Sequence, residues 1–223
     1  MKRFSFACLL VLLCGCAHLP KSTVPLCVLN PAESSEAIMQ RTRNVSAPAK
    51  YTVVTSAVFS FFGKNIPIIG MMTIDEKAQT FAIAGYNHVG VKLIEVEGDA
   101  KSEKARFVMP ELAKFGNVSK AVAEVVRAVY FDRIPTVDSY EHWRESDRVV
   151  FEQRKILGDL RWTVGGNPLS VIEKTMFKKN KMRWRVIYIE YDRSHQRVVP
   201  TKIEIINKAY HYRLKVTVKE IRA

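Results

Sequence analysis

The chain has 223 residues, enough for one domain of ordinary size with a sizeable core. Its 35 Lys and Arg against 22 Asp and Glu give a formal net charge of +13 at pH 7, which points to an anionic partner. All four cysteines lie within the first 27 residues. This position excludes a disulfide framework across the domain, so the fold must depend on its apolar core.

The N-terminus has the layout of a bacterial secretory signal. Lys2 and Arg3 precede an apolar run from Phe4 to Leu13. The run is roughly 10 residues long, whereas a membrane-spanning helix needs about 20. We therefore expect residues 1–15 to be removed on export.

The signal ends in Leu13-Cys14-Gly15-Cys16, which resembles the lipobox of bacterial lipoproteins. The resemblance implies cleavage after Gly15, a diacylglyceryl thioether on Cys16 and acylation of the new α-amine. Ala17 in the next position implies sorting to the outer membrane. The alternative is an ordinary cleaved signal whose cysteines occur by chance.

Export also bears on the charge of the chain. With Lys2 and Arg3 removed, 33 basic residues remain against 22 acidic ones. Export argues against a nucleic-acid partner and favours an anionic membrane surface or lipopolysaccharide. The other interpretation is a basic exterior that is merely solvated. Cys27 is left as a single thiol, which is either passive or paired between two molecules.

Residues 17–30 contain Pro20 and Pro25 and no apolar periodicity, which is typical of a tether. The next segment, Pro31 to Arg43, predicts a short helix capped by Asn30. We therefore divide the chain into a signal at 1–15, a lipidated N-terminus with tether and short helix at 16–48, and a main domain at 49–223.

From Lys50 onwards the apolar residues alternate with a period of two, which predicts about ten β-strands. Their short connections require antiparallel neighbours. The predicted strands are 51–61, 66–74, 80–85, 89–96 and 105–109 in a first run, and 148–153, 160–164, 169–177, 182–191, 203–206 and 212–219 in a second.

A helix separates the two runs of strands. Val118, Val122, Val125, Val126 and Val129 form one apolar stripe at helical spacing, which predicts a helix over about 119–131. A shorter helix is predicted at 138–144.

An apolar face over about ten antiparallel strands implies a strongly curled sheet whose apolar side is covered. One helix buries a stripe only about 100° wide, much less than such a sheet exposes. The remaining space is either filled by large side chains or left as an apolar cavity. This shortage of helix is the physical argument for a ligand.

The order of lipobox, tether, short helix, strands, helix and strands resembles the lipoprotein carriers LolA and LolB of Gram-negative bacteria. Segments 87–93 and 200–205, followed by Tyr212-Arg213-Leu214, resemble LolB-like lipoproteins. The resemblance implies an α+β, mostly antiparallel fold: an incomplete, half-open β-barrel with a helix covering the concave face. It also implies an apolar cavity that accepts acyl chains.

The leading hypothesis is a non-enzymatic protein, anchored in the outer membrane and facing the periplasm, that binds an acyl chain or lipidated cargo and serves lipoprotein or lipid transfer. The alternative is a non-catalytic accessory lipoprotein of an envelope complex, with a filled core and an envelope protein as its partner. The candidate cavity residues are Val53, Phe59, Phe81, Ile83, Val125, Val129, Trp162, Trp184, Leu214 and Val216.

Two segments are candidates for contact with a membrane. Lys178, Lys179, Lys181, Arg183 and Arg185 surround one predicted hairpin and suit anionic head groups, unless they form only a solvated turn. The segment 61–67 is the candidate for an apolar loop that inserts into the bilayer, or else simply ends a strand.

The sequence contains no motif for catalysis. The five histidines lack metal-ligand spacing, and neither a G-x-S-x-G elbow nor a Gly-rich phosphate loop after a strand occurs. We therefore expect no metal and no cofactor beyond the covalent lipid on Cys16, and an envelope hydrolase has no motif behind it.

Overall fold

The structure is a computed structural model that describes residues 28–45, 50–114, 116–131, 133–135, 141–156, 158–167, 169–192 and 198–222. The predicted signal, the lipidation site Cys16, most of the predicted tether and Cys27 lie outside the described residues. These predictions therefore remain predictions.

Three helices and twelve strands form within the described ranges. They are α1 (Ser35–Val45), β1 (Lys50–Phe61), β2 (Lys64–Asp75), β3 (Thr80–Tyr86), β4 (Lys92–Asp99), β5 (Glu103–Val108), α2 (Pro110–Ala113), α3 (Val118–Tyr130), β6 (Glu141–Arg144), β7 (Arg148–Lys155), β8 (Gly158–Gly165), β9 (Ser170–Lys178), β10 (Lys181–Asp192), β11 (Val199–Asn207) and β12 (Tyr212–Arg222).

All twelve strands belong to one antiparallel sheet, in the order β5-β4-β3-β2-β1-β12-β11-β10-β9-β8-β7-β6. The predicted antiparallel arrangement is confirmed. Each pair of neighbours is consecutive in the chain except β1 and β12. Among the described strands the sheet does not close, and the segment that joins its two edges, β5 and β6, carries α2 and α3.

The alternation in the sequence assigns the strand residues to two faces. In β1, Tyr51, Val53 and Thr55 are buried, while Ser56 and Val58 on the opposite face are exposed. Because paired residues share a face, the register carries this division across the sheet. We call the face that includes Val53 the inner face, because the buried side of α3 joins the same apolar core.

Hydrogen bonds from α3 show that the sheet curls around it. The Arg127 side chain donates to the carbonyl of Asp99 at the end of β4 (2.8 Å), and the Tyr188 hydroxyl in β10 donates to the carbonyl of Val129 (2.7 Å). In the sheet order β4 and β10 are six positions apart, about 29 Å in a flat sheet. One helix, about 10–12 Å across, reaches both only if the sheet is curved.

The core is contributed by both halves of the sheet, by α1 and by α3. Ile38 and Met39 of α1 and Val126 of α3 are at most 2% exposed. Within the described residues, the buried apolar side chains lie between Leu29 and Tyr212. A chain that begins at Ala17 keeps this entire core, so we expect it to fold without the signal and the acylated cysteine.

The first helix begins later than predicted. The structure places its start at Ser35, where the Ser34 hydroxyl accepts the N–H of Ala37 (3.2 Å) and acts as the cap. The Asn30 side chain instead accepts the N–H of Ala32 (3.0 Å), so it stabilises a turn before the helix. The predicted cap at Asn30 is therefore wrong.

The predicted helix at 138–144 is also wrong where the structure describes it. Residues 141–144 form β6 and pair with β7, with Trp143 opposite Val150 and the His142 ring 6.2 Å from that of Phe151. Pairing across the hairpin decides the structure of so short a segment, because an isolated helix of this length is unstable.

Candidate functional site

The inner face is filled against the middle of strands β7, β8 and β10. Trp162, Phe151 and Tyr188 are at most 1% exposed, and Val186 is fully buried. The side chain of Lys174 is also buried here, and its ammonium donates to the carbonyl of Phe131 at the end of α3 (2.7 Å). This part of the interior leaves no exposed wall for a ligand.

A buried ion pair closes one end of the interior, which we call the closed end. The guanidinium of Arg133 lies 3.4 Å from the carboxylate of Glu76 in the turn between β2 and β3, and their side chains are only 10% and 6% exposed. The Tyr51 hydroxyl donates to the same carboxylate (2.9 Å). Burial, together with Glu76, raises the pKa of Tyr51 well above its usual value, so this tyrosine is a neutral donor.

The charge state of Arg133 follows from its surroundings. Burial alone would lower the pKa of this guanidinium, but Glu76 and the nearby Tyr51, Tyr188 and Tyr191 raise it overall. Arg133 therefore stays charged, and the pair connects the segment after α3 to the sheet at the closed end.

Burial of the inner face falls towards the opposite end of the sheet. Along β1, the inner residues change from buried at Tyr51, Val53 and Thr55 to half-buried at Ala57, Phe59 and Phe61. The inner residues of β2 show the same gradient, since Met72 and Ile74 are buried whereas Ile66 and Ile68 are half-buried. An apolar wall is thus partly open where these two strands meet.

Helix α3, which packs against β4 and β5, shows the same gradient of burial. Its C-terminal residues Val126 and Val129 are buried, whereas Val118, Val122 and Val125 are only half-buried. The mouth, as we name this region, consists of the half-buried inner side chains Phe59, Phe61, Val122, Val125, Trp184, Leu214 and Val216.

Tyr212 lies on the inner face of β12, opposite Phe61 of β1. Its ring packs against Phe59 with centroids 5.4 Å apart. Burial raises the pKa of Tyr212, and the nearby carboxylate of Glu124 on α3 adds to the increase. Within the described chain, the hydrogen bonds that hold α3 to the sheet come from Arg127 and from the carbonyls of Val129 and Phe131, all in its C-terminal part.

All ten candidate cavity residues belong to one apolar cluster, but the structure divides them. Val53, Phe81, Val129 and Trp162 are fully buried in the filled part. The half-buried candidates are Phe59, Ile83, Val125, Trp184, Leu214 and Val216. The sequence does not separate the two groups, because both follow the same apolar pattern within their strands or helix.

The five candidate basic residues also divide. Lys178, Lys179, Lys181 and Arg183 are exposed around the turn between β9 and β10. Arg185 instead lies on the outer face, half-buried and ion-paired with Glu173. Only the first four are therefore presented to an anionic surface.

In the segment 61–67, the two aromatic residues behave differently. Phe61 packs on the inner face, with its ring 6.1 Å from that of Phe59. Phe62 is 78% exposed at the turn.

A polar groove of about 510 Å³ lies at the closed-end edge of β2–β5, away from the mouth, and its lining includes Asp99 and Glu103. The N–H groups of Lys101 and Ser102 bind the Asp99 carboxylate and lower its pKa. The carboxylate of Glu103 is 2.9 Å from Arg127. Since both carboxylates stabilise the fold, this groove is a poor candidate for a ligand site.

The described part of the chain contains no group of three or more His, Cys, Asp or Glu side chains that could hold a metal ion. None of the helices it contains is long and apolar enough to cross a membrane.

No protein-family model matches the sequence, and no curated protein matches it. Solved structures do match the fold. A LolA superfamily protein from Nitrosomonas europaea aligns with 86% of this chain and 94% of its own, with a TM-score of 0.55 at 8% identity. A DUF1329 family protein from Desulfovibrio piger aligns with 83% and 90% of the two chains, with a TM-score of 0.55 at 8% identity.

A third structure is an outer membrane lipoprotein-sorting protein domain from Vibrio parahaemolyticus, which aligns with 83% of this chain and 90% of its own. Its TM-score is 0.53 and its identity 6%. At such low identities the likeness shows a shared fold. The chain therefore has a LolA-like fold, as its sequence predicted, while the LolB type and the lipidation remain predictions.

Proposed function

We propose that this protein is a non-catalytic, lipid-anchored protein of the bacterial outer membrane, whose half-open barrel binds an acyl chain or lipidated cargo at the mouth. The observation that carries the proposal is the gradient of burial on the inner face. The apolar wall is closed and filled at one end and half-open at the other.

Burial of an acyl chain against the mouth would supply the affinity. Each methylene group removed from water contributes about 0.8 kcal/mol, so ten of them contribute about 8 kcal/mol before the cost of ordering the chain. The aromatic side chains Phe59, Phe61 and Trp184 offer the largest apolar surfaces. The ion pair of Arg133 and Glu76 would limit how deep the chain can extend.

The position of α3 suggests how the mouth would admit a ligand. Its hydrogen bonds to the sheet come from Arg127 onwards, whereas the half-buried Val118, Val122 and Val125 make apolar contacts. The N-terminal half of α3 would therefore act as a lid. Moving this half away from the apolar core would break these contacts and leave the C-terminal hydrogen bonds in place.

The comparisons support the class of cargo and the location. One similar structure is a LolA superfamily protein and another is an outer membrane lipoprotein-sorting domain. A lipidated Cys16, acting as a membrane anchor with three acyl chains, would hold the domain at the membrane surface. Replacing Cys16 with Ser should abolish the lipid mass on the purified protein, as measured by mass spectrometry.

Binding of an acyl chain at the mouth can be tested on the chain that begins at Ala17, by native mass spectrometry and by titration with a fluorescent fatty acid. We expect co-purified lipid and saturable binding. Leu214→Gln, on the inner face, should weaken binding at least tenfold. The matched control Val58→Gln lies on the outer face, where its side chain is 38% exposed, and should leave binding unchanged.

Absence of both co-purified lipid and fatty-acid uptake would overturn the carrier hypothesis. It would favour the accessory lipoprotein, whose supporting observation is the filled interior against β7–β10. Equal loss of binding in Leu214→Gln and Val58→Gln would place the fatty acid outside the mouth.

A further inference from the structure

Five turns lie together at the end of the sheet where the mouth opens. The antiparallel register places the β1–β2 turn beside those of β3–β4 and β11–β12, and the turns of β9–β10 and β7–β8 follow along the same end. We call the described residues of these five turns the rim: 61–64, 87–91, 155–156 with 158, 178–181 and 208–211.

The rim presents large apolar side chains to solvent. Phe62 is 78% exposed, Val89 69%, Val91 50%, Ile156 104% and Tyr210 55%. At the closed end, the described residues of four turns, 76–79, 100–102, 145–147 and 166–167 with 169, contribute none of the large exposed apolar side chains. Five of the eleven large exposed apolar side chains of the described residues therefore lie on the turns of one end and none on the described turns of the other, which marks the rim as a contact surface.

The charge of the rim has one sign. The sequences of its five turns contain six lysines, Lys64, Lys155, Lys178, Lys179, Lys181 and Lys208, and no Asp or Glu. The closed-end turns contain both signs, with Glu76, Glu145 and Asp147 against Lys77 and Lys101. Apolar tips surrounded by lysines are complementary to a bilayer with anionic head groups, where each lysine near the surface strengthens binding about fivefold.

Local hydrogen bonds fix the positions of these tips. The Asn87 side chain accepts the N–H groups of Val89 (3.1 Å) and Val91 (2.9 Å), which orders the β3–β4 loop. The N–H of Lys208 donates to the carbonyl of Arg183 (2.8 Å), which ties the β11–β12 turn to β10. The apolar tips are therefore presented by turns with defined backbone geometry.

The backbone at Phe62 gives a second, independent indication. Phe62 has a φ of 45° and Gly63 a φ of 74°, the left-handed pair of a two-residue hairpin turn. Asn is preferred at the first of these positions, and a bulky aromatic residue there is strained. Strain of this kind is found at functional sites, where the side chain serves a purpose other than stability.

We propose that the rim docks on an anionic lipid bilayer, with the apolar tips entering the interfacial region and the lysines contacting head groups. Docking would place the mouth against the lipid from which an acyl chain is taken or to which it is delivered. The inference rests on the proposed function for its purpose, but its evidence is the rim itself.

Co-sedimentation of the chain beginning at Ala17 with vesicles tests the proposal. We expect binding to equimolar phosphatidylcholine and phosphatidylglycerol, weakening as salt is raised, and little binding to phosphatidylcholine alone. The triple variant Lys178→Gln, Lys179→Gln, Lys181→Gln should bind about a hundredfold more weakly. The control Lys77→Gln, Lys101→Gln, at the closed end, should bind like the wild type.

A single substitution separates docking from stability. Phe62→Asn should raise the midpoint of urea unfolding, because Asn suits the left-handed turn, and it should weaken vesicle binding at least fivefold. In Phe62→Trp, the emission of the new tryptophan should shift to the blue when mixed vesicles are added, because its indole enters the bilayer interface. Loss of stability in Phe62→Asn without loss of docking would contradict the assignment.

Failure of docking and failure of the carrier function are distinguishable. No binding of the wild type to mixed vesicles, or equal loss in the closed-end control, overturns the docking surface even if fatty acid is still bound. Docking without fatty-acid uptake overturns the proposed function and supports the rim alone.

Discussion

The ion pair at the closed end allows one effect on stability to be worked out in detail. Replacing Arg133 with Met keeps most of the apolar stem and removes the guanidinium that compensates the carboxylate of Glu76. Because the two side chains are only 10% and 6% exposed, solvent screens this loss weakly. Removing one partner of such a pair costs about 3–5 kcal/mol, a large fraction of the 5–15 kcal/mol typical of a domain.

Urea unfolding of the chain beginning at Ala17, followed by tryptophan fluorescence, measures the free energy of unfolding and its slope. We expect Arg133→Met and Glu76→Gln each to lower the midpoint strongly. The double variant should cost less than the sum of the two, because it removes both charges. The control Arg222→Met breaks an exposed pair with Glu220 and should leave the midpoint unchanged. A loss below about 1 kcal/mol in Arg133→Met, or strict additivity, would refute the reasoning.

Three further predictions concern the core, the first helix and the effect of pH. Trp162→Ala should lower the free energy of unfolding by about 3–5 kcal/mol, whereas Leu214→Ala, at a half-buried position, should lower it by only about 1–2 kcal/mol. Equal losses of this free energy, measured by urea unfolding, would contradict the distinction between the filled part and the mouth. Ser34→Ala should lower the free energy of unfolding by about 1 kcal/mol in the same assay, and Asn30→Ala should lower it less. The reverse order would instead favour Asn30 as the cap of the first helix. The pKa of Asp99 is lowered in the fold, so the stabilisation by this carboxylate is present above its unfolded pKa and is lost as the pH falls through the folded pKa. Asp99→Asn should therefore be less stable than the wild type at pH 7, and the difference in free energy of unfolding should close in acid. A difference that does not depend on pH would contradict this.

The strands were largely predictable because their alternation is local. Val53 and Thr55 face inward and Ser56 outward, as the period of two requires. The valine stripe likewise predicts α3 to within one residue at each end. β6 was missed because His142 and Trp143 acquire their strand conformation from their partners in β7.

The site was less predictable, because it depends on which part of each strand is covered by residues far away in the sequence. No local pattern contains this information. Val53 and Phe59 lie on the same face of one strand, yet only Val53 is fully buried. The rim is different, because every second turn of an antiparallel meander lies at the same end. Comparing alternate turns would have shown Phe62 and the lysines around Asn180 on one side, but this comparison requires the correct order of strands.

The order of the strands has a mechanical consequence. Read across the sheet from β6 to β5, the strands follow one another as a single meander whose chain ends meet at the β1–β12 pair, where Thr55 lies opposite Val218. The chain between β5 and β6 joins the two free edges of the sheet, and α2 and α3 are the helices described within it. Because α3 packs against β4 and β5, an outward movement of its N-terminal half would uncover this edge of the sheet first.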